Sequence, residues 1–479
     1  MLEEKHTGDM PSEEFKKLGY QLIDWIADYL DNIESYPPLS QIKPGEVKSK
    51  ISNSFPEEGD SLNNFLSDVN KIILPGVTHW QHPNFMAYFS STASAPGILG
   101  ELLSAAFNTN GMVWKSNPSS TELEETVVDW FRQMLCLPES FKGIVYDTAS
   151  VSTMHAIAAA REFACPEIRQ KGFHGAPKLR LYCTEHTHSS IEKGALTLGI
   201  GLEGVRKIKV DKNFSMIPTE LQNAIIEDKK NGLFPFCVVA TIGTTSMTSV
   251  DPVDKIADIC KRENIWLHVD GAYAGVTAML PEMKNHFIGI EKADSFVVNP
   301  HKWLFVPIDF SLLYITKPQI LKRAFSLVPE YLKTSEDSVV ENYMDYGIQL
   351  GRRFRSLKFW FVIRYFGAVG LRERLREHLR LGKLFSSWID SNSNFERLAP
   401  VHFSTVCFRY KPEHLEENQL DKLNEKLMEN INSTGKVFLS HTKLNGKFTV
   451  RMVAAGLRTE ERHVRLAWEI IQQEAKKLM

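Results

Sequence analysis

The sequence predicts an α/β protein with a mostly parallel central sheet, helices on both faces of that sheet, and a small α+β domain at the C-terminal end. Between about residues 95 and 320, helical patterns alternate with short β-rich runs, and this order of elements produces parallel sheets. Beyond about residue 375 the pattern changes to charged amphipathic helices mixed with short strands, which is typical of an α+β unit. A chain of 479 residues also exceeds what one simple core usually holds.

The first segment carries one amphipathic helical pattern, from Phe15 to Ile33. The breaker Tyr36-Pro37-Pro38 ends this pattern. The helix precedes any plausible core, so its apolar face can pack on its own domain or on another subunit, and we favour another subunit. The face consists of Phe15, Leu18, Leu22, Trp25, Ile26 and Tyr29.

Short apolar and β-branched runs predict the strands of both domains. In parallel sheets, functional residues collect in the loops at the carboxyl ends of the strands. The predicted strands are Gly143–Val145, Leu179–Cys183, Val205–Val210, Phe236–Ile242, Ile265–Val269, Ser295–Val298 and Ser311–Ile315 in the large domain, and Ser404–Tyr410 and Phe448–Met452 in the small one.

A helix start is predicted shortly after Pro118. The segment Thr121-Glu-Leu-Glu124 has the spacing of a capping box, in which the first and fourth side chains satisfy free backbone amides. The helix continues through Trp130 and Met134, and we expect its role to be structural.

Composition and charge argue against nucleic acid and membranes as partners. The chain has 56 Lys and Arg against 58 Asp and Glu, a formal net charge of -2, so no strong field attracts a polyanion. The opening Met-Leu-Glu-Glu-Lys-His lacks the apolar run of a signal peptide, and no segment is predicted to span a bilayer; we expect a cytosolic protein. Six scattered cysteines without CxxC spacing are expected to be free thiols.

A lysine follows the predicted strand Ser295–Val298. In Ser295-Phe-Val-Val-Asn-Pro-His-Lys-Trp303, the buried strand ends in polar residues with Lys302 at the tip. A lysine held where a strand meets a cavity loses its proton through desolvation and acts as an amine nucleophile. Most lysines are solvated surface charges, so the neighbouring motifs have to carry this interpretation.

The preceding predicted strand also ends in an ionisable residue. In Ile265-Trp-Leu-His-Val-Asp-Gly-Ala-Tyr-Ala-Gly275, Asp270 is followed by small residues. A carboxylate there can stabilise a protonated pyridine nitrogen, and Ala272 lets a flat ring lie close. The alternative is a helix cap or turn former, which pairing with Lys302 on a nearby strand makes less attractive.

Two further polar motifs follow predicted strands. Asp147-Thr-Ala-Ser-Val-Ser-Thr-Met154 opens an apolar helix, where amides and hydroxyls favour a phosphate, although such a cluster is commonly a simple N-cap. Glu185-His-Thr-His-Ser-Ser190 places His188 where it can stack on a bound ring or transfer a proton; a structural histidine is an equal alternative. His186 and His188 lack further ligands at diagnostic spacing, so we predict no metal site.

Taken in order, these motifs resemble those of the group II amino-acid decarboxylases, which depend on pyridoxal 5'-phosphate (PLP). The resemblance covers nearly the whole chain. The motifs of that group are Thr148-Ala-Ser150, Thr187-His-Ser189, Gly243-Thr-Thr245, His268-Val-Asp-Gly-Ala-Tyr-Ala-Gly275 and Asn299-Pro-His-Lys302. Further segments resemble the aromatic-L-amino-acid decarboxylase branch, namely Gly76-Val-Thr-His-Trp80, Ala87-Tyr-Phe89, Thr121-Glu-Leu-Glu124 and Leu350-Gly-Arg-Arg-Phe-Arg-Ser-Leu-Lys358.

The resemblance implies a PLP-dependent transferase type I fold with pyridoxal 5'-phosphate (PLP) as cofactor. It also implies a homodimer with sites at the interface and N-terminal helices wrapped around the partner. Residues 1–94 would then be an N-terminal helical dimerisation segment, residues 95–372 the large PLP-binding domain, and residues 373–479 the small C-terminal α+β domain.

The resemblance further implies a role for each cofactor-site residue. Lys302 carries the cofactor as a Schiff base, and Asp270 pairs with the pyridine nitrogen. His188 stacks on one face of the ring, and Ala272 packs on the other. The remaining contacts are Thr148, Ala149 and Ser150 at the helix start, Thr245 beside the ring, and Asn299 and His301 around the phosphate.

One tyrosine matches the proton donor of the family. It lies in Pro329-Glu-Tyr-Leu-Lys333, and the resemblance implies that Tyr331 protonates the substrate carbon after carbon dioxide leaves. In related aldehyde synthases this tyrosine or the stacking histidine is replaced; both are present here, so amine formation is favoured. An aldehyde synthase and a non-catalytic PLP-binding homologue are the alternatives, and the intact Lys302, Asp270, His188 and Tyr331 argue against the second.

Aromatic side chains indicate an aromatic L-amino acid as substrate. Trp80, Tyr88 and Phe89 offer surface for a flat ring, with ordinary core packing as the alternative role of each. An acidic substrate such as glutamate would need a well-placed arginine for its side-chain carboxylate, and the sequence does not locate one.

Two further positions bear on which aromatic substrate is preferred. Several animal members of the family have phenylalanine where Met112 stands, and the nearby Asn110 is more polar than the family usually shows. Gly351 stands where some relatives have serine, and glycine accompanies indolic substrates in plant members. This favours tryptophan or 5-hydroxytryptophan over tyrosine, dopa or phenylalanine.

Overall fold

The N-terminal part of the chain is helical and leaves an apolar surface uncovered. A computed structural model describes residues 8–60, 62–327, 332 and 334–478. The helix predicted over Phe15 to Ile33 exists, and it buries none of its residues within the chain: Phe15 is 65% and Tyr20 71% exposed. The helices of this part are α1 (Ser12–Asp31), α2 (Glu46–Lys50) and α3 (Leu62–Asp68).

A seven-stranded sheet forms the centre of the large domain. Along the sheet the strands follow the order β1-β7-β6-β5-β4-β2-β3. Strand β7 pairs antiparallel with both of its neighbours, β1 and β6, so the other six strands run in one direction. The strands are β1 (Lys142–Tyr146), β2 (Leu179–Thr184), β3 (Val205–Ile208), β4 (Phe234–Thr241), β5 (Trp266–Asp270), β6 (Ser295–Val298) and β7 (Ser311–Ile315).

Helices cover both faces of this sheet, as the sequence predicted. Side chains of β4 alternate between two cores: Val238 and Ala240 belong to one, and Cys237 and Val239 to the other. Helices α5, α9, α10 and α13 contribute to the first core, and α6, α8 and α12 to the second. The helices of this part are α4 (Ala95–Phe107), α5 (Pro118–Met134), α6 (Ala149–Ala164), α7 (Ile168–Lys171), α8 (Ser190–Thr197), α9 (Pro218–Lys230), α10 (Val253–Glu263), α11 (Pro300–Trp303), α12 (Pro318–Phe325) and α13 (Arg355–Asp390).

A four-stranded antiparallel sheet of order β10-β11-β9-β8 forms the small C-terminal unit. Helix α13 spans the predicted boundary at residue 372 and connects the large domain to this unit. The helix is kinked at Gly367, where φ is 62°. The division of the chain at residues 94 and 372 stays a prediction. The elements of this unit are β8 (Phe395–Arg397), β9 (Thr405–Tyr410), α14 (Glu417–Ser433), β10 (Ser440–Leu444), β11 (Lys447–Val453) and α15 (Glu461–Lys476).

The predicted capping box at Thr121 is wrong. Helix α5 begins at Pro118, and its N-cap is Asn117, whose Oδ1 accepts a hydrogen bond of 3.0 Å from the backbone N–H of Ser120. Glu124 points into the protein instead, where it accepts from the backbone N–H of Val145 at 3.0 Å and pairs with Arg352 at 2.7 Å. The predicted strands are confirmed, with ends displaced by at most two residues. Within the described ranges, every helix is too short or too polar to cross a bilayer.

Candidate active site

The candidate site lies at the carboxyl ends of β5 and β6, which run side by side. Asp270, the last residue of β5, is in register with Val297 of β6. Two backbone hydrogen bonds join the chain beyond the strands: Gly271 N–H donates to Val297 O at 3.0 Å, and Asn299 N–H donates to Ala272 O at 3.1 Å. The polypeptide that carries Lys302 is thereby fixed beside Asp270.

Lys302 lies in the single turn of α11, directly after β6. Its Nζ is 5.5 Å from the centroid of the Phe89 ring. Burial lowers the pKa of Lys302, and the nearby Asp270 carboxylate partly opposes this shift. The amine is therefore neutral more often than that of a surface lysine, which is the state required of a nucleophile.

Asp270 is a buried carboxylate, 6% exposed. Its Oδ1 accepts a hydrogen bond of 3.0 Å from the backbone N–H of Ala272, and the ion pairs found among the described residues do not include it. A buried carboxylate needs a cation or several donors. The protonated ring nitrogen of PLP supplies a cation of suitable charge, so this residue fits the cofactor.

His188 follows β2 and has a fixed ring orientation. Its Nδ1 accepts a hydrogen bond of 3.1 Å from the backbone N–H of Ser190, whose hydroxyl lies 2.9 Å from the same nitrogen. The neutral ring therefore carries its proton on Nε2. Partial loss of hydration lowers the pKa of His188; Asp270 raises it and Lys302 lowers it, which indicates that the three groups are close together.

The start of α6 presents unpaired backbone amides. Val151 and Ser152 N–H both donate to Thr148 O, whereas the hydrogen bonds among described residues use neither the Ala149 nor the Ser150 amide. Such free N–H groups at a helix N-terminus bind phosphate. The helix is tied to the start of β7 by Ser152 Oγ, 2.8 Å from Ser311 Oγ, which brings it toward His301.

His301 and Asn299 form a second polar wall near this helix start. His301 Nδ1 accepts a hydrogen bond of 2.9 Å from the backbone N–H of Phe310. Burial, with a smaller effect of Lys302, lowers the pKa of His301 to about 3, so the ring is neutral and its Nε2–H is left to donate. The Asn299 Oδ1 atom is buried without a hydrogen-bond partner among the described residues. The free His301 Nε2–H fits the PLP phosphate, which accepts hydrogen bonds, whereas the free Asn299 Oδ1 atom is an acceptor and needs a donor from a ligand or a neighbouring group.

The predicted aromatic residues Trp80, Tyr88 and Phe89 lie in one segment of the chain, before α4. The rings of Trp80 and Tyr88 stack with centroids 5.9 Å apart, and both are exposed in the single chain. Phe89 is buried and stacks on Tyr273 at 3.7 Å. Phe89 thus packs in the core and also lies beside Lys302, and its predicted contact with a substrate ring stays a prediction.

Met112 and Gly351 lie in a different group. Asn110 Nδ2 is 3.6 Å from Met112 Sδ, and the Asn110 Oδ1 atom accepts from the backbone N–H of Arg352 at 2.9 Å. Within the described part of the chain, a Cβ atom on Gly351 would have one neighbour closer than 4 Å, Asn110 Nδ2 at 3.8 Å. The hydrogen bonds, ion pairs and ring contacts of the described residues do not join this group to Trp80, Tyr88 or Phe89.

Tyr331 lies outside the described residues. Its neighbour Leu332 is buried and packs with Val113 and Met344, and the partly buried Met112 lies against the same cluster.

Sequence reasoning missed Arg451, which reaches the site from β11. Its Nη2 donates a hydrogen bond of 2.8 Å to the carbonyl oxygen of Thr245. Thr245 is the residue predicted to lie beside the cofactor ring. The available signal was an arginine in the middle of the apolar strand predicted at Phe448–Met452, where a charged side chain is unusual.

Comparisons with known proteins identify the family of the chain. The family model described as the pyridoxal-dependent decarboxylase conserved domain matches residues 44–411. Tryptophan decarboxylase 2 of Oryza sativa is 41% identical over 98% of this chain and 96% of its own length. Phenylacetaldehyde synthase of Arabidopsis thaliana is also 41% identical, over 98% of this chain and 97% of its own.

A solved structure confirms the predicted type I fold. The crystal structure of Oryza sativa TDC with PLP and tryptamine has a TM-score of 0.95 and 34% identity, covering 98% of this chain and 99% of that one. The fold and the family model lead to the same assignment. The chain belongs to the pyridoxal-dependent decarboxylase family and is a PLP-dependent carboxy-lyase.

Proposed function

We propose that this enzyme decarboxylates an aromatic L-amino acid to the corresponding arylalkylamine and carbon dioxide, with Lys302 as the covalent attachment site of PLP. The observation that carries the proposal is the juxtaposition of Lys302, Asp270 and the Phe89 ring at the ends of two adjacent parallel strands. When bound, PLP supplies an electron sink for the electron pair that carbon dioxide leaves behind.

Lys302 and Asp270 have different roles at this site. The desolvated Lys302 amine gives up its proton readily, so it would serve as the covalent attachment point of PLP. The Asp270 carboxylate would favour the protonated form of the ring nitrogen of PLP. Its burial strengthens this interaction, because the surroundings screen charge poorly.

The groups that would hold the phosphate carry no formal charge. The amides of Ala149 and Ser150 and the Nε2–H of His301 would donate to it. His188, whose orientation is set by Ser190, would hold one face of the ring, and the small side chain of Ala272 would allow the ring to lie close. Neutral donors fit here because the helix dipole of α6 already favours an anion.

Tryptophan or 5-hydroxytryptophan is the substrate we favour, with tyrosine, dopa and phenylalanine as alternatives. Phe89 provides aromatic surface beside Lys302, and the stacked rings of Trp80 and Tyr88 lie in the same segment of the chain. Gly351 leaves room for a larger ring, and the name of the rice relative and the tryptamine in the rice structure support an indolic substrate. The sequences of the relatives also include an aldehyde synthase, which keeps oxidative deamination as the second candidate.

We propose that the enzyme works as a homodimer. Met112, Asn110 and Gly351 form a group separate from Trp80 and Tyr88, and a second copy can bring that group to the site. The exposed apolar surface of α1 and α4 supports such an interface, and residues 1–94 would serve as its helical segment. The exposed side chains include Phe15, Tyr20, Leu22, Leu99, Leu102, Leu103 and Phe107.

A product assay tests the proposed function. Purified, PLP-loaded enzyme is incubated separately with tryptophan, 5-hydroxytryptophan, tyrosine, dopa, phenylalanine, histidine and glutamate, and amine, aldehyde and peroxide are measured. Lys302→Ala is the inactive control. Amine from an aromatic substrate is expected. Aldehyde with stoichiometric peroxide would move the enzyme to the synthase class, and turnover of glutamate or histidine alone would contradict the proposal.

A further inference from the structure

Arg451 is a buried cation that reaches from the small domain into the candidate active site. It lies in β11, in register with Cys407 of β9 and Ser440 of β10, and is 4% exposed. Burial lowers its pKa, and the groups that oppose this shift are Cys407 and Tyr273 rather than a carboxylate. An unpaired guanidinium in the interior is costly, so a compensating role is expected.

The guanidinium group binds backbone carbonyls on both sides of the site. Its Nε donates to Ser246 O at 2.6 Å, and Nη2 donates to Thr245 O at 2.8 Å and to Tyr88 O at 3.4 Å. Its Nη1 donates to Ser440 Oγ at 2.9 Å. One side chain thereby fastens the loop after β4 to the segment that carries Tyr88 and Phe89.

Tyr88 needs this support because of its backbone conformation. Its φ is 50°, in the left-handed region that residues other than glycine seldom occupy. Both of its backbone polar groups are held from the small domain: the N–H donates to Ser440 Oγ at 3.1 Å, and the carbonyl accepts from Arg451. Because Phe89 is the next residue, the conformation of Tyr88 sets the direction of the Phe89 ring.

Phe89 connects Arg451 to Lys302. The guanidinium carbon lies 5.5 Å from the centroid of the Phe89 ring, and Lys302 Nζ lies at the same distance from it. Phe89 stacks on Tyr273 at 3.7 Å, and Tyr273 stacks on Trp303, the neighbour of Lys302, at 4.5 Å. A shift of the Phe89 ring would therefore change the position of Lys302.

We propose that Arg451 is a positioning residue that fixes Thr245 and Phe89 relative to each other, and so sets how PLP and the aromatic substrate are seated. The part concerning the substrate rests on the proposed function. The part concerning the cofactor rests only on the family assignment.

Arg409 offers a matched control. It is fully buried in the neighbouring strand β9, but it is paired with carboxylates, and Nη1 lies 2.7 Å from Glu417 Oε1. Its partners Glu396 and Glu417 belong to the small domain. Arg409→Met should therefore lower the melting temperature and leave the PLP site intact.

The test compares Arg451→Met, Arg451→Lys and Arg409→Met as PLP-loaded enzymes. The readouts are the circular dichroism of the bound cofactor in the visible range, KM and kcat for the best aromatic substrate, and the melting temperature. We expect both Arg451 variants to lose at least half of the cofactor signal and to raise KM about tenfold or more, because small displacements of reacting groups are costly. Lysine should not restore function, because one ammonium cannot span carbonyls that a planar fork reaches.

Two results would overturn the inference. One is a wild-type cofactor signal and KM in Arg451→Met, and the other is an equal loss of both in Arg409→Met. If the wild-type enzyme turns over no aromatic amino acid, the proposed function fails, whereas the cofactor signal still decides the role of Arg451.

Discussion

The Oδ1 atom of Asp270 accepts a hydrogen bond of 3.0 Å from the backbone N–H of Ala272. This contact orients the carboxylate without neutralising it, so its charge stays available to a ligand. A second buried aspartate lies one strand away and is bound differently. The Oδ1 and Oδ2 atoms of Asp251 accept from the backbone N–H groups of Met216 and Thr241, each at 2.7 Å.

Asp270→Asn should damage catalysis far more than folding. The amide keeps the hydrogen bond to Ala272 but loses the charge that holds a proton on the ring nitrogen, and one interaction of this type is worth about 2.7–4 kcal/mol, or roughly 10²–10³ in kcat. We expect the free energy of unfolding to change by less than about 1 kcal/mol. Steady-state kinetics and urea denaturation measure the two quantities.

Asp251→Asn is the matched control, with the reverse outcome expected. One of its two bound N–H groups would face an NH2 group, leaving a buried donor unsatisfied at a cost of about 1–3 kcal/mol of stability, while kcat should stay near that of the wild type. Equal kcat losses in the two variants would argue against a specific role of Asp270.

Tyr331→Phe should change the product rather than abolish turnover. Without the phenol, protonation of the substrate carbon slows, and oxygen competes for the electron-rich species, giving aldehyde, ammonia and peroxide. The ratio of aldehyde to amine should rise, as measured by mass spectrometry with a coupled peroxidase assay. A variant that still forms amine alone, at the wild-type rate, would remove Tyr331 from this role.

Gly351→Ser should shift preference from tryptophan toward tyrosine. Among the described residues, the one atom within 4 Å of the added Cβ is Asn110 Nδ2, at 3.8 Å, so serine fits without repacking and narrows the space for a large ring. We expect the kcat/KM ratio of tryptophan to tyrosine to fall about 10-fold or more, the scale of a modest steric change in a pocket. Gly59→Ser, at a glycine without neighbours within 4 Å, should leave the ratio unchanged; an unchanged ratio in Gly351→Ser as well would remove Gly351 from the pocket.

His378 should make stability depend on pH below neutrality. It accepts from Trp303 Nε1 at 2.9 Å, and its Nε2 lies 3.0 Å from Gly456 O, while burial lowers its pKa from 6.5 to about 4. The folded protein therefore binds fewer protons than the unfolded chain, so the stabilisation is complete above pH 6.5 and is lost as the pH falls toward 4. The lowered pKa corresponds to about 3 kcal/mol.

His378→Gln isolates this contribution, because glutamine does not titrate and the other buried histidines are common to both proteins. Between pH 7 and 4 the wild type should lose about 3 kcal/mol more unfolding free energy than the variant. Parallel stability curves for the two proteins would show that His378 does not titrate in this way.

The sequence was sufficient to predict that Asp270 and Lys302 lie after neighbouring strands of one sheet. Both follow apolar runs of strand length, and carboxyl ends of parallel strands share one edge of a sheet. The direction of β7 was not predictable from its composition, since the apolar run Ser311–Ile315 suits either direction. The structure makes it antiparallel, and the connection from Val298 to Ser311 holds only the four-residue helix α11, less than a parallel crossover usually contains.

The remaining contacts could not be predicted because they join residues that lie far apart in the sequence. Glu124 has the spacing of a helix cap, yet its carboxylate pairs with Arg352, 228 residues away, because satisfying a buried arginine outweighs a local cap. Arg451 reaches carbonyls about 205 residues away, and backbone acceptors leave no mark in the sequence. Such contacts become visible only when the chain is folded.

Mapping the lysine to which PLP is covalently attached tests the role of Lys302. The loaded enzyme is reduced with borohydride, digested, and analysed by mass spectrometry for a pyridoxyl-lysine peptide. We expect the label on Lys302 and its absence from Lys302→Ala. A second buried lysine, Lys358, lies 2.8 Å from Glu101, and a label there or on any other lysine, with activity kept in Lys302→Ala, would show that Lys302 is not the attachment site of PLP.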